Sequence, residues 1–251
     1  MKLSFLFLIW LAASAVHAAI TPKTESVPRV SFAITPYNPF VILESDGHLH
    51  GIYQEYLAEL IQRAGLDPQF DTMPLTRMLH HATKGTYDFF MGISGIPEAE
   101  GQYLEIARFH KMKVILIGMV DKIDFKNGPL VIGKAPNTYC PLFNKQQEKK
   151  IRYYEYKDTP QALKMLVAKR ISAICTTREL FYFEIQNSRY ASMSFKEFSE
   201  FHHEFVVSLF AHKRLAPEKI KSVNKAVAEL EQKKLLSNLY KKYGLEETVR
   251  P

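Results

Sequence analysis

Hydrophobic positions recur along the chain in two rhythms. Mainly apolar runs lie at Val30–Ile34, Phe89–Met91, Val114–Val120, Leu130–Ile132, Ile171–Cys175 and Phe205–Phe210, each short as a strand is. Between them the apolar residues step by three or four, as on one face of a helix. Tyr53, Tyr56, Leu57, Leu60, Ile61 and Ala64 form one such stripe, closed by Gly65, and Leu75, Met78, Leu79 and Ala82 form another, ended by Gly85. Thr159 as a cap and Pro160 at the first helical position open a third, with Ala162, Leu163, Leu166 and Val167 inward. Two more close the chain: Ile220, Val223, Val227 and Leu230, then Leu235, Leu236, Leu239, Tyr240 and Tyr243, stopped by Gly244. Asp46-Gly47 marks a turn. Strands alternating with helices predict an α/β fold with largely parallel sheets.

The N-terminus stands outside this alternation. Lys2 precedes the short apolar stretch Phe5–Ala13, and Val16-His17-Ala18 offers a cleavage site after Ala18. The stretch is shorter than the roughly 20 residues that span a bilayer. Residues 1–18 are therefore expected to be a secretory signal peptide. With no cysteine near the cut to carry a lipid, the expected mature chain, Ala19–Pro251, is soluble and periplasmic.

Composition narrows the class. The 251 residues are 47% hydrophobic and 24% charged, which excludes collagen-like, low-complexity and wholly disordered chains. The net charge of +7 is spread among acids with no basic run, so it reads as a solvated surface and implies no nucleic-acid partner. Two cysteines cannot make a disulfide scaffold or a four-cysteine zinc module. The histidines include His48 and His50, His80-His81 and His202-His203, but adjacent side chains on a helix or strand point apart. No metal or cofactor is expected, and no G-x-S-x-G, H-E-x-x-H or C-x-x-C motif is present. The mature length suits one large domain or two lobes, and no Gly/Ser/Pro linker divides it.

Several segments taken in order carry a resemblance. The run from Val30 to Gly65, VSFAITPYNPFVILESDGHLHGIYQEYLAELIQRAG, resembles the opening of the family 3 periplasmic solute-binding proteins. Gly85-Thr86-Tyr87-Asp88 is similar to the G-x-x-D that precedes a strand in that family, and Gly92–Glu98 to its following loop. TPQALKMLVAKRISAI and LEQKKLLSNLYKKYG resemble its later helix–strand unit and its tail. The resemblance implies the type II periplasmic-binding-protein clamp, two α/β lobes joined by two crossing segments near Ala107–Lys111 and Glu204–Val207. One lobe would hold 19–108 and 206–251, and the other 109–205. It implies a monomer that captures a small polar or anionic molecule between its lobes, for an ABC-type uptake system with a membrane permease. Two alternatives stay open: a ligand sensor feeding a membrane receptor, and a clamp-fold enzyme of the cyclohexadienyl dehydratase type. The enzyme needs an acid or base in the cleft, and Glu98 is the only acid that the sequence places near its rim.

Carried over residue by residue, the resemblance places Tyr37 as the aromatic against the ligand, with Phe40 packed beneath it. Gly92 and Ser94 would meet a polar ligand group after one strand. Asn137 and Thr138 would follow a second-lobe strand, and Thr176 and Thr177 another. Arg77, in Pro74-x-x-Arg77, is a candidate contact or a helix-face ion pair. Two departures bear on the ligand. The arginine that grips an amino acid's carboxylate is here Ala99, and the acid that pairs with its ammonium is here Thr177. The acid of the family's first helix is likewise Tyr56. Arg77, Lys134 and Arg178 near the cleft would suit an anionic or polar neutral ligand. Cys140 and Cys175 follow strands expected to be neighbours in the second lobe, and in an oxidising compartment they are expected to be paired.

Overall fold

The structure, a computed structural model, describes residues 29–245 apart from 121–122, 127–128, 137, 139 and 187. The expected signal peptide and Asn137 lie outside the described residues. In chain order the elements are β1 (Arg29–Ile34), β2 (Ile42–Leu43), β3 (Leu49–His50), α1 (Ile52–Ala64), β4 (Asp67–Thr72), α2 (Leu75–Thr83), β5 (Phe89–Ile93), α3 (Pro97–Glu100) and β6 (Tyr103–Gly118). There follow β7 (Leu130–Lys134), α4 (Lys145–Glu148), β8 (Ile151–Glu155), α5 (Thr159–Val167), β9 (Ala173–Thr177), α6 (Arg178–Gln186), β10 (Lys196–His212), α7 (Pro217–Gln232) and α8 (Leu235–Lys242).

Eight strands form one sheet in the order β4-β1-β5-β10-β6-β9-β7-β8. The expectation of largely parallel pairing holds at both flanks, where β1 pairs with β4 and β5, and β7 with β8 and β9. The centre differs. There β6 and β10, of 16 and 17 residues, run antiparallel along each other and are far longer than their apolar runs suggest. At one end of this ribbon Val207–Ala211 pairs with β5, and at the other Val114–Ile117 pairs with β9. Two half-sheets therefore share one ribbon, which is how two lobes come to be joined by two crossing strands. The crossing segments expected from the sequence lie side by side, with Val206 opposite Lys111 and Leu209 opposite Ala107, and the register shifts between Val207 and Ser208.

Each half has its own core. Phe32, Ile34, Phe89 and Leu209 are fully enclosed with Leu57 and Leu60 of α1 and Val223 of α7. A second core gathers Ile115 and Ile117 of β6 with Ala162, Leu163, Ile174 and Phe181. Burying such side chains contributes roughly 1.5–3 kcal/mol apiece, which makes the strand runs dense in Phe, Ile and Leu. Gly65 ends α1 in the left-handed region at φ 65°, where its N–H and that of Leu66 take up the last carbonyls of the helix. The cap of α5 is a correction: Asp158, not Thr159, accepts from the Gln161 N–H at 2.8 Å, and Pro160 is the second helical residue. Asp88, part of the G-x-x-D resemblance, has a structural task here. It accepts from the Ser31 N–H and hydroxyl at 3.0 Å each and pairs with Arg214 at 3.2 Å, tying β1 to β5.

Cys140, after β7, is bonded to Cys175 of β9, closing a span of 35 residues behind the end of that strand. This is the pairing expected from the sequence.

Candidate functional site

The loop after β1 is built to hold one aromatic. Tyr37 N–H donates to the Val41 carbonyl at 2.7 Å, and the Tyr37 carbonyl accepts from the Phe40 and Val41 N–H groups. The Pro39 and Phe40 carbonyls in turn accept from Ile52 and Tyr53, the first N–H groups of α1. The chain approaches so closely here that a Cβ on Gly51, at φ 111°, would lie 2.7 Å from both carbonyl oxygens. Phe40 is buried beneath, stacked on Tyr53 and His110 at ring separations of 4.7 and 5.0 Å. The Tyr37 ring is thus presented from a braced loop.

Its hydroxyl meets the other half of the molecule. Tyr37 Oη lies 2.7 Å from Oγ1 of Thr177, the last residue of β9. Thr177 Oγ1 also accepts from the Leu180 N–H at 3.4 Å, as the cap of α6. A turn further along α6, Glu184 accepts from the Asn38 amide at 3.3 Å. Two polar contacts thereby join the β1 loop to α6.

The remaining sequence candidates are distributed as follows. Thr176, next to Thr177 on the strand, faces the opposite way and hydrogen-bonds Tyr156, so the pair does not act together. Ser94 follows the end of β5, but its hydroxyl is engaged by protein groups: it donates to Glu105 at 2.5 Å and lies 2.7 Å from Ser208 Oγ. Ser208 also donates to Glu105 at 2.6 Å, and Arg108 pairs with the same carboxylate at 2.9 Å. These donors hold the Glu105 carboxyl down at about 2, the Arg108 guanidinium most of all. Gly92 pairs with Ser208 on β10, where a Cβ would meet the Phe90 ring at 2.6 Å. Arg77 is exposed on α2 and makes no salt bridge with a described residue. Thr138 is exposed, donates to the Ala135 carbonyl at 2.6 Å, and lines a cavity of about 590 Å³ with Lys134, Cys140, Phe143 and Tyr153. That cavity lies behind β7, away from Tyr37. Ala99 is 1% exposed among Phe90, Tyr103 and Phe210, within the core. The Glu98 side chain lies outside the described set.

Two of the three cations that suggested an anionic ligand, Arg178 and Lys134, are committed to protein acids, whereas Arg77 is not. Arg178 grips Glu197 through Nε at 3.0 Å and Nη2 at 2.7 Å. Lys134 pairs with Glu155 at 2.8 Å and donates to the Thr138 carbonyl at 3.0 Å.

Two buried groups near the ribbon went unnoticed in the sequence. Nδ1 of His110, on β6, lies 2.7 Å from the Tyr53 hydroxyl and 2.5 Å from that of Tyr240, while its Nε2 is buried without a partner. Burial pushes its pKa down to about 3, so the ring is neutral. Glu179, in the first turn of α6, is 1% exposed, and its Oε2 has no hydrogen-bond partner. Burial raises its pKa to about 7, against the lowering pull of its own N–H, that of Lys113, and the Arg178 charge. Its charge in turn raises the phenols of Tyr37, Tyr53 and Tyr240 beyond what burial does. Glu179 therefore looks across the boundary between the halves. Searching one turn past Thr177 for the acid absent at that position would have found it.

Residues 30–246 match the family described as bacterial extracellular solute-binding proteins, family 3. Among solved structures, the chain is similar to the probable amino-acid ABC transporter extracellular-binding protein ytmK from Bacillus subtilis. The TM-score is 0.68 at 18% identity, covering 89% of this chain and 100% of that one. It is also similar to the GluR0 ligand-binding core from Nostoc punctiforme in complex with (L)-glutamate, at a TM-score of 0.65 and 17% identity, covering 86% and 99%. A third likeness is to the ancestral amino acid-binding protein AncCDT-1, a precursor of cyclohexadienyl dehydratase, at 0.65 and 16%, covering 86% and 94%. No curated protein matches the chain in sequence.

Proposed function

Because the chain belongs to the family 3 bacterial extracellular solute-binding proteins, we propose that it is exported to the periplasm by residues 1–18 and captures a small polar molecule between two lobes for an ABC-type uptake system. The observation that carries this reading is the hydrogen bond between Tyr37 and Thr177, which links the ends of β1 and β9 across the ribbon. Strand ends that converge on a crevice are where α/β sheets take ligands, and closure about a two-strand hinge is the motion such a clamp allows. We take the lobes as 19–108 with 206–251, and 109–205. The separate cores support that division, except that Phe109 and Met112, at the start of the second range, pack into the first core.

Thermal unfolding of the mature chain against a panel of small metabolites tests the reading, since a ligand that binds only the folded state raises its melting temperature. The standard amino acids at about 1 mM are expected to give no shift. Ala99 and Thr177 offer no charge to either end of a zwitterion, and a loss of about 4 kcal/mol is close to a thousandfold in affinity. Micromolar binding of an ordinary amino acid, abolished by altering Thr177, would overturn that expectation. Tyr37→Phe is expected to weaken the preferred ligand several-fold by loosening the closed form.

One observation favours a second reading, an enzyme on the same clamp. Glu179 is a buried acid whose pKa of about 7 suits proton transfer at neutral pH. Recovery of the bound molecule unchanged by mass spectrometry, together with no turnover of cyclohexadienyl acids, would dispose of it.

A further inference from the structure

The acid absent at Thr177 is replaced by one two residues further on. Glu179 is 1% exposed and leaves one carboxylate oxygen without any partner. A buried, ionised carboxylate is stable only when something of opposite charge or a full set of donors meets it. The cations beside it are engaged elsewhere. Arg178 turns its guanidinium to Glu197, and Lys113 pairs with the same acid at 3.2 Å. Tyr37 of the opposite half is bonded to Thr177, two residues before it, and the charge of Glu179 acts on the phenols of Tyr37, Tyr53 and Tyr240. The imidazole of His110 is held by two of those three. An unpaired, buried carboxylate oxygen suits a cation, which supplies the opposite charge that it lacks. A carboxylate meets less, because Ala99 is buried in a core, Arg178 and Lys134 are already paired, and Arg77 is exposed on α2 rather than enclosed.

We propose that Glu179 anchors the ligand's protonated amine in the cleft, so that the molecule captured is a small organic cation lacking a free carboxylate. This rests on the reading of the chain as a solute-binding protein. Amine binding holds Glu179 ionised, so it releases a proton wherever the carboxyl was protonated beforehand. Affinity should therefore rise with pH from about 6 to about 8 and level off above. The charged groups beside the carboxyl are Arg178, Lys113 and Glu197, and burial keeps the tyrosines and His110 neutral over this range.

The test uses the mature chain, stripped of bound molecules by unfolding and refolding. The probes are matched sets: butylamine, 1,4-diaminobutane and choline against butanol, butanediol and butyrate, each by thermal shift and then calorimetry. Amines are expected to bind and their uncharged and anionic counterparts not to. Glu179→Gln should weaken the best amine about thirtyfold or more, and Thr177→Val far less. Calorimetry in buffers of different protonation enthalpy should show proton release near neutral pH in the unaltered chain, a readout that does not depend on any variant folding. A neutral or anionic ligand that binds tightly and ignores Glu179→Gln would overturn the proposal while leaving the binding function intact. Failure of every probe and of the wider metabolite panel would overturn both.

Discussion

Ser94, Ser208, Glu105 and Arg108 at the end of β5, and Thr177, Arg178, Glu179 and Glu197 at the end of β9, are nearly the same residue types, yet they reach opposite states. In the first group both carboxylate oxygens find protein partners: both serines and the arginine converge on Glu105. In the second, Glu197 collects Arg178 and Lys113 while Glu179 keeps an open oxygen. The first group fixes the strand end, whereas the second leaves unused binding capacity between the halves. A polar residue at a strand end thus says little about ligand contact until its partners are counted.

The largest expected effect bears on what holds the incomplete side in place. Cys175 lies two residues before Thr177, so its bond to Cys140 braces the strand that carries the open site. Replacing both cysteines with serine should lower unfolding stability by about 3–4 kcal/mol, the chain-entropy value for a loop of this size. Urea titrations with and without reductant measure it. No loss on reduction would mean that β9 needs no brace.

The two acids should next show themselves through opposite responses to pH. The folded pKa of Glu179 lies near 7, above its ordinary 4.5, so the folded state binds a proton that the unfolded chain has lost. Stability from this group falls as pH rises from about 4.5 to 7 and is flat above. A shift of this size corresponds to roughly 3 kcal/mol as an upper bound. Glu179→Gln should therefore raise stability at pH 8 and flatten that slope. Glu105 runs the other way: with its pKa held near 2, its contribution is present above about 4.5 and is lost as pH falls toward 2. Denaturant unfolding of the unaltered chain and of Glu179→Gln from pH 3 to pH 8 separates the two slopes, and the same profile in both would erase the distinction.

The smallest effect lies inside the satisfied cluster. Ser208→Ala removes one of Glu105's donors and should cost about 1 kcal/mol without altering ligand affinity. A loss of affinity instead would place this cluster in the binding surface.

Most elements could be read from the chain because their apolar residues keep one rhythm. Strand β4, with Pro68 and two aspartates in DPQFDT, hides its role because an edge strand tolerates proline and half-exposed polar residues. The other edge, β8, presents mostly exposed polar and aromatic positions for the same reason. Helix α6 follows β9 without any spacer, with Thr177 both ending the strand and capping the helix, so its start carries no separate signal. The site was half legible. Tyr37 and Thr177 were placed together by resemblance, whereas Ser94 looked the same in sequence and proved to be committed to Glu105. Glu179 was missed because position-by-position transfer stops at Thr177, and only the fold shows that the next turn points its acid to the same boundary.

The Tyr37–Thr177 hydrogen bond has a consequence for signalling fidelity. Made wholly of protein atoms, it favours the shut clamp equally with or without cargo. If it is worth about 1 kcal/mol, it raises the shut-to-open ratio about fivefold in both cases. Under the proposed role in uptake, a permease that responds to shape alone would then receive more false reports from unloaded carriers, each risking a wasted ATP. Loosening this latch would make the reports more truthful and the capture weaker, so the strength of one hydrogen bond sets an exchange rate between sensitivity and fuel economy.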